Sequence, residues 1–400
     1  MSKAAISAAR ERRRSGLPLF RYGFRPFFFA AGLWAVIAMA IRLGDVSGSI
    51  SSGFVFHDAT RWHAHALLFG YSSAVVAGFA LTAVPNWTGR LPISGTPLLL
   101  LFMLWLAGRA ALFSPLPASI AIPIDAAFLP VLAIALGREI IAGRNVRNLP
   151  VCGLILLLGG ANILFHLEAF DLIPAEGYGT RMGIGMLSLL IGLIGGRIIP
   201  SFTNNWFGRQ KLPRAATSAV ALERAAHAAS ALAVGGWVIA PDAGVTGIAF
   251  FVAAAAHALR LALWRGWRTW TEPLVFVLHV GYSWIPIGFV ILACAISFDP
   301  VLNSAGLHAL SAGAIGTMTL AVMTRATLGH TGRKLHANAG TVALFAAITT
   351  SAVLRVAAGV VPSINVPLLI GAGILWLTAF AAFVGIYGPM HLARRVGDAS

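Results

Sequence analysis

Histidines inside apolar segments are the side chains of this sequence best suited to chemistry. The sharpest pattern is Trp62-His63-Ala64-His65 at the start of one apolar run, and two further histidines lie just inside the ends of other runs. An imidazole in hydrocarbon costs free energy unless it is paired, so such a residue is a functional candidate by default. Imidazole is a ligand for iron, copper and zinc. We therefore predict metal or heme ligands at His63, His65, His166 and His308, with His279 as a fifth candidate.

The spacing of His63 and His65 leaves two geometries open. In a helix, where each residue turns by about 100°, the two side chains point about 200° apart and cannot bind one metal. They could then serve two centres, or one could be a ligand and the other structural. In an extended chain both would face one way and could chelate together. The interpretation without chemistry is polar decoration of the membrane interface beside Trp62.

Arginines inside apolar runs are a second, independent signal. Arg109 and Arg355 lie within such runs, and Arg61 precedes the histidine pair. A buried guanidinium needs an anion. Heme propionates are one such anion, which arginine can bind bidentately, so we predict that Arg61, Arg109 and Arg355 hold them. The alternatives are snorkelling toward the interface and pairing with Asp125 or Glu168, although those carboxylates could instead orient ligand histidines.

The remaining histidines form a second layer, predicted nearer the cytoplasmic face, which contains His227, His257 and His279. A second metal or a cytoplasmic gate is one interpretation of His279, and a structural contact with a hydroxyl group is the other. For His227, His257 and His391 we favour the structural interpretation. For His166 and His308 taken singly, a hydrogen-bonded structural histidine is the alternative to a ligand.

Other catalytic patterns do not appear in the sequence. There is no Ser–His–Asp pattern, no P-loop and no dinucleotide-binding glycine motif. The two cysteines, Cys152 and Cys294, lie in apolar runs, which excludes a disulfide framework and a zinc site built on Cys-x-x-Cys. Acidic residues fall near the ends of the apolar runs, which weakens a transporter driven by carboxylates at mid-membrane.

The elements that must position these side chains are membrane helices. The 400-residue chain is 58% hydrophobic and 10% charged, where soluble domains carry about 25% charged residues. A spanning helix needs roughly 20 apolar residues. Twelve runs qualify: 23–43, 63–84, 95–113, 118–140, 150–171, 178–200, 218–240, 243–263, 273–297, 304–327, 338–360 and 364–386. We predict an all-α polytopic bundle over 23–390, with a basic N-terminal tail, 1–22, and a C-terminal tail, 391–400.

Basic residues give the expected topology. They cluster in the N-terminal tail and in every second connection, whereas the opposite connections carry Asp45, Asp58, Asp171, Glu176, Asp242 and Asp299 and the nearby His57. Loops rich in lysine and arginine stay in the cytoplasm, so both termini are predicted to be cytoplasmic. The net charge of +16 is then a topology signal, with the lipid bilayer and not nucleic acid as the partner.

A short pattern recurs in three of the predicted cytoplasmic loops, at offsets of 119 and 124 residues: Asn86-Trp87-Thr88-Gly89-Arg90, Asn205-Trp206-Phe207-Gly208-Arg209 and Gly329-His330-Thr331-Gly332-Arg333. One interpretation is a four-helix unit used three times, a pseudo-threefold arrangement that resembles the main subunit of heme–copper oxidases by architecture alone. The other is an ordinary cytoplasmic turn with a membrane-anchoring arginine.

Longer motifs make the sequence similar to a known family. They are LFRYGFRPFF at 19–28, WHAH at 62–65, LTAVPNWTGR at 81–90, NILFHLE at 162–168, GGRIIP at 195–200, HVGY at 279–282, HAL at 308–310, and AVMTR at 321–325 leading to GHTGR at 329–333. On these motifs the chain resembles the NnrS family over essentially its whole length.

The resemblance implies a twelve-span protein of the bacterial inner membrane that binds heme and copper and acts in nitric oxide metabolism or nitrosative-stress tolerance. Nitric oxide or a nitrosylated metal is the implied ligand. The resemblance supplies no ligand assignment, no electron donor, and no decision between an oxidoreductase that converts nitric oxide and a protein that only binds it. The chain also departs from the expected motif, because Ala66 stands where an acid is expected after the second histidine.

Two other functions stay open on the sequence alone. Twelve spans are common in transporters, so the chain could move a metal complex or a small metabolite without redox catalysis. It could also be an assembly factor that passes a cofactor to a partner. A coloured protein with stoichiometric iron would favour the heme and copper function implied by the resemblance over both of these.

Overall fold

A computed structural model describes residues 16–49, 58–215 and 217–397. His57 and most of the basic N-terminal tail lie outside these residues. Within them every regular element is a helix and no strand occurs. The predicted fold class, an all-α polytopic membrane protein, is confirmed.

Each of the twelve predicted spans corresponds to one long helix of the described chain. Eleven are long and apolar enough to cross a membrane: α1 (Phe24–Val46), α2 (Ala59–Thr88), α3 (Thr96–Phe113), α4 (Ala118–Ala142), α5 (Val146–Ala169), α6 (Tyr178–Arg209), α8 (Gly244–Leu263), α9 (Pro273–Ser297), α10 (Pro300–His330), α11 (Ala339–Ala358) and α12 (Pro362–Leu392). The twelfth helix, α7 (Val220–Ile239), is of similar length but does not meet this criterion. It carries Glu223, Arg224 and His227 in its first two turns.

Several helices continue past the predicted spans. The segment predicted as a loop at 205–209 is the last turn of α6. Trp206 and Phe207 in that turn are buried against Ala215, with Leu212 packed on the same cluster. This local apolar packing supports the extra helical turns where hydropathy alone ends the span.

The chain divides into two compact units. The first contains 1–175, 323–335 and 383–400, and therefore α1 to α5 with the last turns of α10 and α12. The second contains 176–322 and 336–382, and therefore α6 to α9, α11 and the greater part of α10 and α12. The orientation of the termini in the membrane stays a prediction.

Close helix packing in the first unit depends on glycines in α2. A Cβ at Gly70 would lie within 2.5 Å of the Trp34 indole nitrogen, and one at Gly78 would lie 2.6 Å from the Phe28 ring. Both aromatic side chains belong to α1. Small residues let membrane helices approach closely, as the glycine spacing of this span predicts.

Helices α2 and α10 share an unusual backbone. In α2 a π-helical segment, Ala66–Tyr71, follows His65 directly, and in α10 another, Ala309–Gly316, follows His308 directly. Both segments begin Ala-Leu and carry a glycine five residues after the histidine, at a constant offset of 243 residues. Single π turns inside α-helices often lie at functional sites.

The ends of these helices correspond as well. Gly89 after α2 and Gly332 after α10 both have left-handed backbone, with φ of 67° and 75°. The matching glycine of the middle copy, Gly208, lies inside α6 instead. The similarity of α2 and α10 is therefore conformational as well as sequential, whereas the full three-copy repeat stays a prediction.

The left-handed backbone at Gly89 gives a test of where α2 ends, and Gly208 gives the matching test inside α6. Gly89 has open space around its Cα, so Gly89→Ala adds only backbone strain and should destabilise the protein by about 1 kcal/mol. Gly208 has equally open space inside a helix, so Gly208→Ala should stabilise it by up to about 1 kcal/mol. Thermal unfolding of the detergent-solubilised chain measures both, and shifts of the same sign would contradict the assignment.

Candidate metal centre

Four buried polar side chains of the first unit meet around the buried carboxylate of Asp125. One oxygen, Oδ2, lies 3.1 Å from His65 Nε2, 2.9 Å from His166 Nε2 and 2.9 Å from Asn162 Nδ2. His65 Nε2 is also 3.0 Å from Asn162 Oδ1. Because both neighbours of His65 Nε2 are oxygens, this ring nitrogen donates the hydrogen bonds.

The second carboxylate oxygen binds Arg109. The NH2 group of Arg109 forms an ion pair with Asp125 Oδ1, and the NH1 group donates to the Phe69 carbonyl at 2.9 Å. The guanidinium also lies 5.9 Å and 5.7 Å from the ring centres of Trp34 and Trp105. The carboxylate is fully buried and receives four donors, which offsets the cost of removing its charge from water.

Local helix geometry explains how these residues meet. Asn162 and His166 are four residues apart on α5 and therefore share one face. Gly108 on α3 faces α4, since a Cβ there would lie 2.9 Å from Asp125 Oδ1 and 3.0 Å from its Cα. Glycine at this position lets α4 bring Asp125 against the turn of α3 that carries Arg109.

The π segment of α2 is held by side chains from the neighbouring helices. Trp34 Nε1 donates to the Ala66 carbonyl at 2.8 Å, and Trp105 Nε1 donates to the Gly70 carbonyl at 3.0 Å. Arg109 binds the Phe69 carbonyl between them. These bonds satisfy backbone groups in a segment with irregular hydrogen bonding, and they fix the turn that presents His65.

The centre offers the donors of a metal site. His65, Asp125 and His166 each provide one ligand atom, these atoms lie within 4.8 Å of one another, and all three residues are buried. Two imidazole nitrogens and a carboxylate oxygen suit one ion of copper, iron or zinc. They do not suit a heme held between the two imidazoles, because both Nε2 atoms lie beside one carboxylate oxygen and the ring centres are only 4.8 Å apart.

The structure separates the two histidines that the sequence analysis treats as a pair. The segment Ala59–His65 is helical, so the helical geometry applies. His65 belongs to the centre and is 2% exposed, whereas His63 is half-buried and is not one of its donors. The two imidazoles therefore do not bind the same ion in this arrangement.

The predicted arginines have different surroundings. Arg109 pairs with Asp125, which is the alternative to binding a propionate. Arg61 donates to the Ala169 carbonyl at 3.3 Å, and its Nε lies 3.8 Å from Asp58 Oδ2. Arg355 lies half-buried in the last turn of α11, in the second unit.

His308 also lies in the second unit. Its Nδ1 donates to the Ser304 carbonyl at 2.7 Å, which leaves Nε2 as the ring atom suited to a ligand. A Cβ at Gly359 of α11 would lie 2.8 Å from the Ala305 backbone of α10. This contact places Arg355 and His308 on neighbouring turns of adjacent helices, so both remain predicted heme contacts.

The second layer of histidines forms a different kind of network. Arg260 binds both oxygens of Glu223 at 3.0 Å and 2.7 Å, and it donates to the Tyr282 hydroxyl at 2.6 Å. That hydroxyl lies 2.6 Å from His257 Nδ1, and His257 Nε2 lies 2.8 Å from Ser230 Oγ. Each ring nitrogen of His257 thus has a hydroxyl partner within the protein, which supports the structural interpretation of this residue.

His279 and His391 are likewise enclosed by protein. His279 Nε2 lies 2.8 Å from Thr203 Oγ1, and its ring packs on Gly266, where a Cβ would overlap it. His391 packs among aromatic rings and lies 3.4 Å from Thr327 Oγ1. Neither belongs to a group of three metal-ligand side chains among the described residues.

Sequence reasoning missed Asn162, Trp34 and Trp105 as parts of the centre. A tryptophan in an apolar run is normally a packing residue, and its indole donor can be assigned only when its acceptor is known. For Asn162 a signal existed, since an asparagine four residues before His166 in a membrane span is expensive unless it is paired.

Comparison with known proteins identifies a single family. A family model described as NnrS protein matches residues 18–395. No curated protein matches the chain significantly.

The network of the second unit is expected to affect stability and not metal binding. Tyr282→Phe removes the hydroxyl between Arg260 and His257 and should destabilise the protein by about 1–3 kcal/mol, because buried polar groups lose their partner. Tyr178→Phe is the control, since its hydroxyl bonds Glu176 in an exposed position. Thermal unfolding and metal analysis measure the outcome, and loss of bound metal in Tyr282→Phe would contradict the structural interpretation.

Proposed function

This chain belongs to the NnrS family, and from that premise we propose that it is a metal- and heme-binding protein of the inner membrane that acts in nitric oxide metabolism or nitrosative-stress tolerance. The observation that carries the proposal is the buried group of His65, Asp125 and His166, whose ligand atoms lie within 4.8 Å of one another.

In this proposal His65 Nε2, His166 Nε2 and an oxygen of Asp125 hold one copper or iron ion. Each imidazole would then carry its proton on Nδ1, because a nitrogen that binds a metal must present its lone pair. The bound ion would supply an open coordination position for a small ligand such as nitric oxide. Asn162 offers an amide donor beside that position, since its Nδ2 lies 2.9 Å from the shared oxygen of Asp125.

The surroundings of the group favour a small, weakly polar ligand. Phe69 and Phe165 lie against the His65 ring, with ring centres 5.4 Å and 5.5 Å away. His166 is completely buried, and His65 and Asp125 are each 2% exposed. Nitric oxide dissolves in the lipid phase and can approach such a centre laterally, whereas a charged substrate would need a polar path.

For the heme we propose that His308 would be a ligand, with Arg355 as a propionate contact. The bond from His308 Nδ1 to the Ser304 carbonyl fixes the ring with Nε2 unprotonated, which is the arrangement typical of metal-binding histidines. The proposal thus assigns the isolated ion and the heme to different histidines. A transporter of a metal complex is the competing function, and it requires neither cofactor in stoichiometric amount.

Metal and pyridine-hemochrome analysis of the purified chain tests these assignments. His65→Ala and His166→Ala should each lose most of the non-heme metal, because each removes a ligand, and both should retain heme. His308→Ala should lose heme and retain the metal. His63→Ala is the matched control and should retain both, since His63 occupies the same helix end without joining the group.

Two results would contradict the proposal. A colourless, metal-free wild-type protein would favour transport. Heme that survives His308→Ala, or non-heme metal that survives His65→Ala and His166→Ala, would remove the corresponding histidines as ligands.

Binding and conversion of nitric oxide are separated by a second measurement. The reduced protein is mixed with nitric oxide while the gas is followed with an electrode and the heme by absorption. Binding alone should consume at most one or two equivalents, whereas an oxidoreductase should consume it continuously while reductant is present. In either case His65→Ala should abolish the part that depends on the non-heme ion.

A further inference from the structure

We infer that the centre formed by His65, Asp125 and His166 is built for a monovalent ion, Cu⁺, and that Arg109 sets this preference. The inference rests on the proposed function, since it concerns the same centre. It follows from the charges that surround the ligand atoms.

The charges of the group already cancel. Asp125 contributes one negative charge and Arg109, bound to its Oδ1, contributes one positive charge. The two imidazoles are neutral, because a protonated ring beside Arg109 would place excess positive charge around a single buried carboxylate. Glu168 lies two residues from His166, about 200° away around α5, and is not a member of the group.

A bound ion therefore leaves its whole charge uncompensated. A monovalent ion gives the group a net charge of +1, and a divalent ion gives +2. The cost of a buried net charge rises steeply with its size, and hydrocarbon surrounds these helices. Among the metals that imidazole binds, copper is the one with a stable monovalent state, so the charge balance favours Cu⁺ over Fe²⁺ and Zn²⁺.

Arg109 cannot readily leave the site. Its NH1 is bound to the Phe69 carbonyl at 2.9 Å, and its guanidinium lies 5.9 Å and 5.7 Å from the ring centres of Trp34 and Trp105. The residue is 4% exposed, and arginine stays charged at physiological pH. The positive charge beside the ligand atoms is therefore a fixed part of the fold.

The size of the effect can be estimated from Coulomb's law. Two unit charges about 5 Å apart at an effective dielectric constant of about 20 change an affinity by roughly a hundredfold for each unit of ionic charge. Removal of the charge of Arg109 should then strengthen binding of a divalent ion about a hundredfold more than binding of a monovalent ion.

The test compares Ag⁺ and Zn²⁺, two ions without redox chemistry, on the full-length purified chain after its metal is removed with a chelator. Competition titrations give the ratio of the two affinities. Arg109→Gln removes the charge and keeps amide donors, and it should shift the ratio toward Zn²⁺ by about a hundredfold. Arg109→Lys keeps the charge and should leave the ratio within about threefold of the wild type.

A second variant shifts the ratio in the opposite direction. Asp125→Asn leaves Arg109 uncompensated, so it should shift the ratio toward Ag⁺. Because Asp125 is itself a ligand, the role of Arg109 is decided at position 109 alone, and Arg109→Met, which removes the charge and keeps an unbranched apolar side chain beside Trp34 and Trp105, replaces Arg109→Gln if that variant does not fold. The reduction potential of bound copper gives a further readout, which should fall in Arg109→Gln and rise in Asp125→Asn.

The outcomes separate the two levels of the proposal. If neither ion binds the wild-type chain in a manner that requires His65 and His166, the proposed centre is wrong. If both ions bind there but Arg109→Gln or, where it does not fold, Arg109→Met leaves the affinity ratio unchanged, the centre stands and the charge inference is overturned.

Discussion

A carboxylate buried among membrane helices organises the first unit. Asp125 on α4 can remain ionised inside hydrocarbon only when its two oxygens are hydrogen-bonded and its charge is paired. Helices α2, α3 and α5 supply the donors through His65, Arg109 and His166. The same requirement explains features that look unrelated in the sequence. Gly108 makes room for the carboxylate. Trp34 and Trp105 lie beside the arginine and donate to backbone carbonyls of the π segment.

The hydrogen-bond networks around the buried arginines, Arg109 and Arg260, differ between the two units. In the second unit Arg260 donates to the Tyr282 hydroxyl, that hydroxyl donates to His257 Nδ1, and Arg260 NH1 also lies 3.3 Å from this nitrogen. In the first unit His65 and His166 converge on one oxygen. The network of the second unit brings a single imidazole to Arg260 and the Tyr282 hydroxyl, and therefore offers no pair of imidazoles to one ion. The convergent network of the first unit has a common point, where one cation can replace two imidazole protons that move to the opposite ring nitrogens.

Sequence reasoning predicted the helices well because hydropathy and length determine which segments can span a bilayer. It also selected His65 and His166 by residue type. The separation of His63 from His65 needed the knowledge that the chain is already helical at Ala59. The pairing of Arg109 with Asp125 joins residues on different helices, and no local pattern distinguishes it from a propionate contact. The last turn of α6 depends on tertiary contacts of Trp206 and Phe207.

The π segment of α2 limits how this protein can vary in length. A π turn holds one residue more than an α turn, so the deletion of a single residue within 66–71 can be absorbed by a return to ordinary helix. A return to ordinary helix with no residue removed would instead rotate His65 by about 100° relative to the C-terminal half of α2 and carry it away from Asp125. The number of residues in this segment and its helix type are thus coupled, and His65 keeps its direction toward Asp125 only when the two change together.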